Sequence, residues 1–146
     1  MPKHAIPSAE VNTLGIIGDA CAHPEIHGGP LQAVLLIMAE GIDELIAQGF
    51  PLFYGALGEN LTTRGIDRRA LRLGERLRVG EIVIQLTKLR EPCNQLSVYG
   101  PGIQRAVYDA LAASGDPHSV RWGLGGFYAS VVEPGTIRTG DPVEPV

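Results

Sequence analysis

The chain has few cysteines and lysines, and it has no long run of apolar residues. Its two cysteines, Cys21 and Cys93, are widely separated and give no sign of a disulfide framework. Lys3 and Lys88 are the only lysines, which leaves few candidates for Schiff-base chemistry. No apolar stretch approaches the length of a secretory or membrane-spanning segment, so we expect a cytoplasmic protein that does not associate with membranes.

Several enzyme motifs are also missing. The sequence has no G-x-S-x-G elbow, P-loop or dinucleotide fingerprint, and GLGGF at 123–127 lacks the strand-then-helix context of a phosphate loop. The net charge of -4 gives the whole molecule no electrostatic reason to bind nucleic acid. What remains is a chain of 146 residues, 45% of them hydrophobic, which predicts one globular domain over 1–146.

Glycine and proline divide the chain into short segments, with 19 and 11 copies respectively. This favours short strands joined by tight turns. Two amphipathic helices are predicted at 39–49 and 100–115, and a shorter helical turn at 65–74. We therefore expect a mainly β fold of the α+β class, a barrel or folded sheet whose rim carries the site. The predicted strands are 14–20, 33–38, 57–63, 75–80, 81–89, 126–132 and 136–146.

Cys93 follows the predicted strand 81–89, in a loop shaped by Pro92. Loops held on a rigid sheet are favourable places for chemistry. A reactive thiol needs a nearby positive charge, and Arg90 and Lys88 are candidates to supply it. The alternative is a buried thiol that packs as a small hydrophobic residue.

Two other segments are rich in polar side chains. The segment GENLTT at 58–63 offers acceptors and amide donors that could hold a phosphate or the edge of a heterocycle, or form a capped turn. The segment GDACAHPEIHGGP at 18–30 contains five residues of metal-ligand type, which predict either a zinc site or a loop that lines another site. These five are Asp19, Cys21, His23, Glu25 and His27.

Six arginines lie between residues 64 and 78, with only two acids among them. They form either a solvent-exposed face or a patch that binds an anion such as phosphate. The six are Arg64, Arg68, Arg69, Arg72, Arg76 and Arg78.

Taken in order, these segments resemble the MOSC domain, a family named for the C-terminal domain of molybdenum cofactor sulfurases. The similar segments are GIIGDA, HGGPLQAVLL, the stretch from Gly55 to Leu96, GGFYASVV and TIRTGDPVEP. The stretch from Gly55 to Leu96 is specific, because a Gly-Glu-Asn-Leu turn, a Leu-x-x-Gly-x-x-Leu-x-Val-Gly segment and an Arg-x-Pro-Cys end follow one another there.

The resemblance implies a β-barrel-rich domain and a role for Cys93, which matches the family's cysteine. In the family this cysteine either carries sulfur as a persulfide or binds molybdenum in a pterin cofactor. Asn60 and Arg90 match positions around the cofactor, and we expect Glu59 and Thr62 to contribute beside them. Arg90 would neutralise the cofactor's phosphate.

Two residues of the earlier loop also match the family pattern. His27, with the two glycines after it, matches a histidine-glycine-glycine turn, and Asp19 matches a glycine-aspartate step. We expect both to contribute to the cofactor site. Pyridoxal phosphate is associated with the family only through a separate domain and is not expected here.

Three functions follow from the resemblance. Similarity to stand-alone bacterial members implies reduction of N-hydroxylated compounds, with Cys93 as molybdenum ligand and a redox partner that supplies electrons. The same cysteine could instead serve a persulfide carrier loaded by a sulfur donor protein. The third alternative is a non-catalytic module that binds the cofactor, and an apolar strand edge or helix face could mediate a homodimer.

Overall fold

The computed structural model describes residues 3, 5–17 and 30–146 of the chain. Nine strands and three α-helices form within these ranges. The strands are β1 (Ser8–Asn12), β2 (Gly15–Ile16), β3 (Val34–Met38), β4 (Leu61–Thr63), β5 (Arg76–Val79), β6 (Ile82–Leu89), β7 (Phe127–Glu133), β8 (Gly135–Arg138) and β9 (Val143–Pro145). The helices are α1 (Ala39–Ala47), α2 (Ile103–Val107) and α3 (Ala110–Ala113), with 3-10 helices at Pro30–Gln32, Arg68–Ala70 and Asn94–Tyr99.

The strands form two sheets. The larger is a mixed, curled half-barrel with the order β4-β3-β7-β6-β5-β9, in which β3 and β4 run parallel and the other neighbours run antiparallel. The smaller has the order β2-β1-β8. This architecture of strands with peripheral helices confirms the predicted fold class.

Both faces of the larger sheet are covered by apolar side chains. Successive residues of a strand point to opposite faces, and all five residues of β3 are buried. Leu36 and Met38 join a cluster that includes Val11 and Ile137 of the smaller sheet. The opposite face carries the helix-side cluster, whose members include Leu35, Ile37, Ile42, Leu45, Leu57, Leu96, Ile103 and Val107.

Four predicted strands are confirmed to within one residue at each end, namely those at 33–38, 75–80, 81–89 and 126–132. Their alternating or continuous apolar patterns match the burial of β3, β5, β6 and β7. The predicted strand at 57–63 is shorter than expected because residues 54–57 form a turn, so β4 begins only at Leu61.

The chain ends differ more from the predictions. The predicted strand at 136–146 divides into β8 and β9 because the Asp141 side chain accepts the Arg138 N–H at 2.7 Å and Gly140 adopts a φ of +95°. β1 was not predicted, and it pairs with β8. Of the predicted strand at 14–20, Gly15–Ile16 is a strand, and 18–20 lie outside the described residues.

The predicted helix at 39–49 is confirmed as α1, whereas the one at 100–115 divides into α2 and α3. Tyr108 and Asp109 between them are extended. The Asp109 carboxyl accepts the Ala112 N–H at 2.8 Å and so caps α3 as a new helix. This bond, together with one from Ser119, lowers the pKa of Asp109. The helical turn predicted at 65–74 is the 3-10 helix Arg68–Ala70, capped by Asp67.

Helix length bears on membrane association. Within the residues that the structure describes, no helix has both the length and the apolar character needed to cross a bilayer.

Candidate functional site

Strand register brings the start of β4 and the end of β6 to the same level of the larger sheet. Thr62 pairs with Ile37, and a Cβ added to Gly126 would lie 2.7 Å from Cγ1 of Ile37. The Gly126 carbonyl accepts the Arg90 N–H at 2.9 Å. Thr62, Ile37, Gly126 and Arg90 therefore lie in one row across four neighbouring chain segments. At ordinary strand spacing, the backbones of Thr62 and Arg90 at the two ends of this row are about 14 Å apart.

Arg90 is buried at the end of β6, with 4% of its surface exposed. Leu89 before it belongs to the cluster on the opposite face, so strand alternation directs the Arg90 side chain toward the helix-side cluster. Arginine is rarely buried to this degree. Its guanidinium therefore marks a polar position within an otherwise apolar part of the fold.

Cys93 lies three residues further on and is half-buried. It packs against the helix-side cluster and immediately precedes the 3-10 helix Asn94–Tyr99. Its carbonyl accepts the Leu96 N–H at 3.1 Å and the Gln104 side-chain amide at 3.3 Å. These bonds fix the backbone, and among the described residues the thiol has no disulfide partner. The arrangement combines a loop held by hydrogen bonds with a half-buried cysteine.

Glu59 is buried more deeply than its neighbours in the sequence, with 3% of its surface exposed. Its Oε2 accepts the Gly55 N–H at 2.9 Å and the Thr62 hydroxyl at 3.2 Å. Its Oε1 is buried and has no hydrogen-bond partner within the described part of the chain. A buried acceptor of this kind is uncommon, because leaving it unsatisfied costs free energy.

Asn60 has a different environment from Glu59. Its Oδ1 accepts the Leu35 N–H at 2.7 Å, and its backbone N–H donates to the Leu35 carbonyl at 2.9 Å. The residue thus extends the pairing of β4 with β3 by one position. Its side-chain oxygen is used to hold the two strands together.

Tyr99 connects the loop of Cys93 with the loop of Glu59. Its hydroxyl donates to the Ala56 carbonyl at 2.7 Å, which joins the end of the 3-10 helix to the turn before Glu59. Burial raises the pKa of Tyr99, and the nearby Glu59 carboxylate raises it further. No sequence motif singled out Tyr99 or Gln104, and the only available signal was their position six and eleven residues after Cys93.

The glycines of GLGGF serve close packing. Gly123 and Gly126 have φ angles of +74° and +104°. A Cβ at Gly123 would lie 2.6 Å from the Phe127 ring, and one at Gly126 would lie 2.9 Å from the Leu36 carbonyl. These contacts explain the glycine-rich run without a bound phosphate.

The arginines between residues 64 and 78 do not converge on one point. Arg68 bonds to Glu44 at 3.2 Å, and Arg64 lies 3.6 Å from Asp43. Arg72 donates to nearby backbone carbonyls, and Arg78 bonds to Glu133 across the sheet. These local contacts favour the exposed-face alternative over an anion patch for Arg64, Arg72 and Arg78. The Arg68 side chain is only 12% exposed and also donates to the Trp122 carbonyl at 2.7 Å, so it serves packing between segments.

A shallow cavity of about 560 Å³ lies between the start of α1 and residues 65–69. Acids and arginines line it together, including Glu40, Glu44, Asp67 and Arg68. Neither Cys93 nor Arg90 nor Glu59 is among its lining residues. The cavity is therefore separate from the candidate site.

The loop predicted to supply metal or cofactor ligands lies outside the described residues. The roles of Asp19, Cys21, His23, Glu25 and His27 remain predictions.

The described residues have the chemistry that a molybdenum–pterin cofactor needs. Cys93 offers a soft sulfur donor, and Arg90 offers a positive charge for an anionic group. The unsatisfied Oε1 of Glu59 can accept an N–H from a heterocycle. Cys93 packs against the helix-side cluster, and the Glu59 carboxyl bonds to Gly55 and Thr62 at the start of β4.

The chain is similar to known proteins in sequence and in fold. The MOSC domain model matches residues 23–144. The chain is 32% identical over 130 residues to the uncharacterized protein YflK of Bacillus subtilis (strain 168), covering 87% of the chain and 53% of YflK. It is 31% identical over 136 residues to protein YiiM of Escherichia coli (strain K12), covering 90% of the chain and 56% of YiiM. The chain thus spans about half the length of these two relatives.

The fold is also similar to a solved structure. The crystal structure of YiiM from Escherichia coli matches with a TM-score of 0.70 and 26% identity, over 97% of this chain and 63% of the YiiM chain.

Proposed function

The chain belongs to the MOSC domain family, and on this basis we propose that it binds a molybdenum–pterin cofactor and supports reduction of N-hydroxylated compounds. Cys93 is the proposed metal ligand. The observation that carries the proposal is a half-buried thiol held three residues after a buried guanidinium, at the end of a central strand. Membership in a family associated with molybdenum cofactors supports the choice of cofactor.

Cys93 and Arg90 would bind different parts of the cofactor. Cys93 would present its sulfur as a soft ligand, and metal binding keeps a coordinating thiol deprotonated. Arg90 would hold an anionic part of the cofactor through forked, charge-assisted hydrogen bonds. When bound, the cofactor would supply two-electron redox chemistry at its metal.

The proposed reaction breaks the N–O bond of the substrate. An N-hydroxylated compound R–NH–OH takes up two electrons and two protons, and it yields R–NH2 and water. The protons come from solvent, and the electrons come from a separate redox partner. Cys93 packs against the helix-side cluster, which shields part of the residue from solvent. That shielding would limit the access of water to the reacting centre.

The partial exposure of Cys93 also favours a second function, that of a persulfide carrier. The Cys93 thiolate would attack the outer sulfur of a donor persulfide R–S–SH. One sulfur–sulfur bond forms on Cys93 as another breaks, and the donor leaves as a thiolate. This function needs an accessible thiol but no metal.

Turnover of the chain made in a cofactor-producing host tests the proposal. With reduced viologen as the electron donor and an N-hydroxylated amidine as substrate, wild type should form the amidine. Cys93→Ser should lose this turnover, while Cys21→Ser, the matched control, should retain it. Equal turnover in wild type and Cys93→Ser would contradict the proposal. Absence of turnover, together with cyanide-releasable sulfur on wild type but not on Cys93→Ser, would establish the carrier instead.

A further inference from the structure

The two carboxyl oxygens of Glu59 differ in their hydrogen bonds within the described residues. Oε2 receives two donors, from Gly55 and Thr62, whereas Oε1 receives none within the described residues. Holding Gly55 and Thr62 requires only one of the two oxygens. The burial of a second oxygen with no donor is a cost that the described residues do not offset.

The position of Glu59 relates it to the candidate cofactor site. Thr62, to which it bonds, lies on the same cross-strand row as Arg90, about 14 Å away. Tyr99 joins the Glu59 loop to the 3-10 helix that follows Cys93. A cofactor that spans this row would reach Glu59 at one end and Arg90 at the other. Glu59 would then meet the end of the ligand furthest from Arg90.

We propose that Oε1 of Glu59 accepts hydrogen bonds from the amino edge of a pterin ring. This inference rests on the proposed function, and it assigns one edge of the cofactor to one atom of the chain. A pterin presents an amino group and a ring N–H side by side, and a carboxyl oxygen with two lone pairs can accept both. The neighbouring Asn60 is less suited, because its Oδ1 already accepts the Leu35 N–H.

Substitution of Glu59 by glutamine separates this role from a purely structural one. A glutamine side chain keeps one acceptor for Gly55 and Thr62, so the turn can retain its bonds. It places an amide NH2 at the position of Oε1, and this group cannot accept a hydrogen bond from the amino group or the ring N–H of a pterin. The matched control is Glu91→Gln, which changes an exposed glutamate two residues before Cys93.

The test compares the binding of pterin with that of lumazine, in which a carbonyl oxygen replaces the amino group. Protein is made in a host that lacks the cofactor, and dissociation constants are measured by pteridine fluorescence. Wild type and Glu91→Gln should prefer pterin by about 10- to 100-fold, the range expected for hydrogen bonds to a charged acceptor. Glu59→Gln should show almost no preference. Because the preference is a ratio measured on one preparation, partial unfolding of a variant does not change it.

The outcomes distinguish this inference from the proposed function. Equal preference in wild type and Glu59→Gln, or no preference in wild type, would overturn the role of Glu59. If molybdenum were still present in the wild-type protein from a cofactor-producing host, the proposed function would survive. If wild type bound neither pteridine and carried no molybdenum, both would fail.

Discussion

At the scale of single residues, Glu59 and Asn60 show how two adjacent polar side chains acquire different roles. The sequence predicts both as acceptors near a ligand. In the structure the Asn60 oxygen bonds to the backbone of β3, whereas Glu59 keeps one buried oxygen without a partner in the described segments. Sequence reasoning could not separate them, because the difference depends on which atoms of β3 and of the turn at Gly55 come within reach.

The contact between Asn60 and Leu35 predicts a loss of stability on substitution. Asn60→Ala removes the acceptor of the Leu35 N–H and should lower the free energy of unfolding by about 1–3 kcal/mol. Asn60→Asp retains an oxygen at that position and should recover most of the loss. Urea unfolding followed by circular dichroism measures both.

Asn12→Ala is the control for this prediction. Its Oδ1 accepts the Leu14 N–H at 2.8 Å in an exposed turn, so its removal should change stability by only about 0.5 kcal/mol. Equal losses for Asn60→Ala and Asn12→Ala would show that the bond to β3 has no special importance.

At the scale of elements, the predictions succeeded where one hydrophobic pattern dominated. β3, β5, β6, β7 and α1 each carry a continuous or periodic apolar pattern, and each forms where it was expected. The predicted helix at 100–115 failed at Asp109, because a side chain that bonds to the backbone can start a new helix inside an apolar stripe. β1 was missed because its partner, β8, is more than a hundred residues away in the sequence.

The junction between β3 and β7 depends on a glycine with no room for a side chain. At Gly126, with φ +104°, an added Cβ would lie 2.7 Å from Ile37 and 2.9 Å from the Leu36 carbonyl. Gly126→Ala should lower the free energy of unfolding by about 2–5 kcal/mol, from backbone strain together with overpacking. Thermal or urea unfolding gives the value.

Gly49→Ala serves as the matched control for Gly126→Ala. Gly49 has a φ of +103°, and nothing lies within 4 Å of its added Cβ. Only backbone strain applies here, so Gly49→Ala should lower the free energy of unfolding by about 1–2 kcal/mol. Similar losses at the two positions would contradict the importance of close packing against β3.

At the scale of the whole molecule, the fold brings together segments that lie far apart in the sequence. The Gly-Glu-Asn turn and the Arg-x-Pro-Cys loop lie at the same end of the larger sheet, where β3 and β7 separate them and the bond from Tyr99 to Ala56 links the segments that follow and precede them. The family resemblance identified Cys93, Arg90 and Asn60 as candidates, but their burial and their partners follow from the packing of β3, β7 and the helix-side cluster. The contributions of Tyr99 and Gln104 likewise could not be predicted, since both depend on tertiary contacts to backbone carbonyls.

The most direct test of the account is the molybdenum content of the purified chain from a cofactor-producing host. Metal analysis and oxidised-pterin fluorescence should give about one molybdenum and one pterin per wild-type chain, as expected for a single ligand cysteine. Cys93→Ser should lose the molybdenum, and Cys21→Ser should retain it. Molybdenum at the same level in Cys93→Ser as in wild type, or none in wild type, would contradict the claim that Cys93 is the metal ligand.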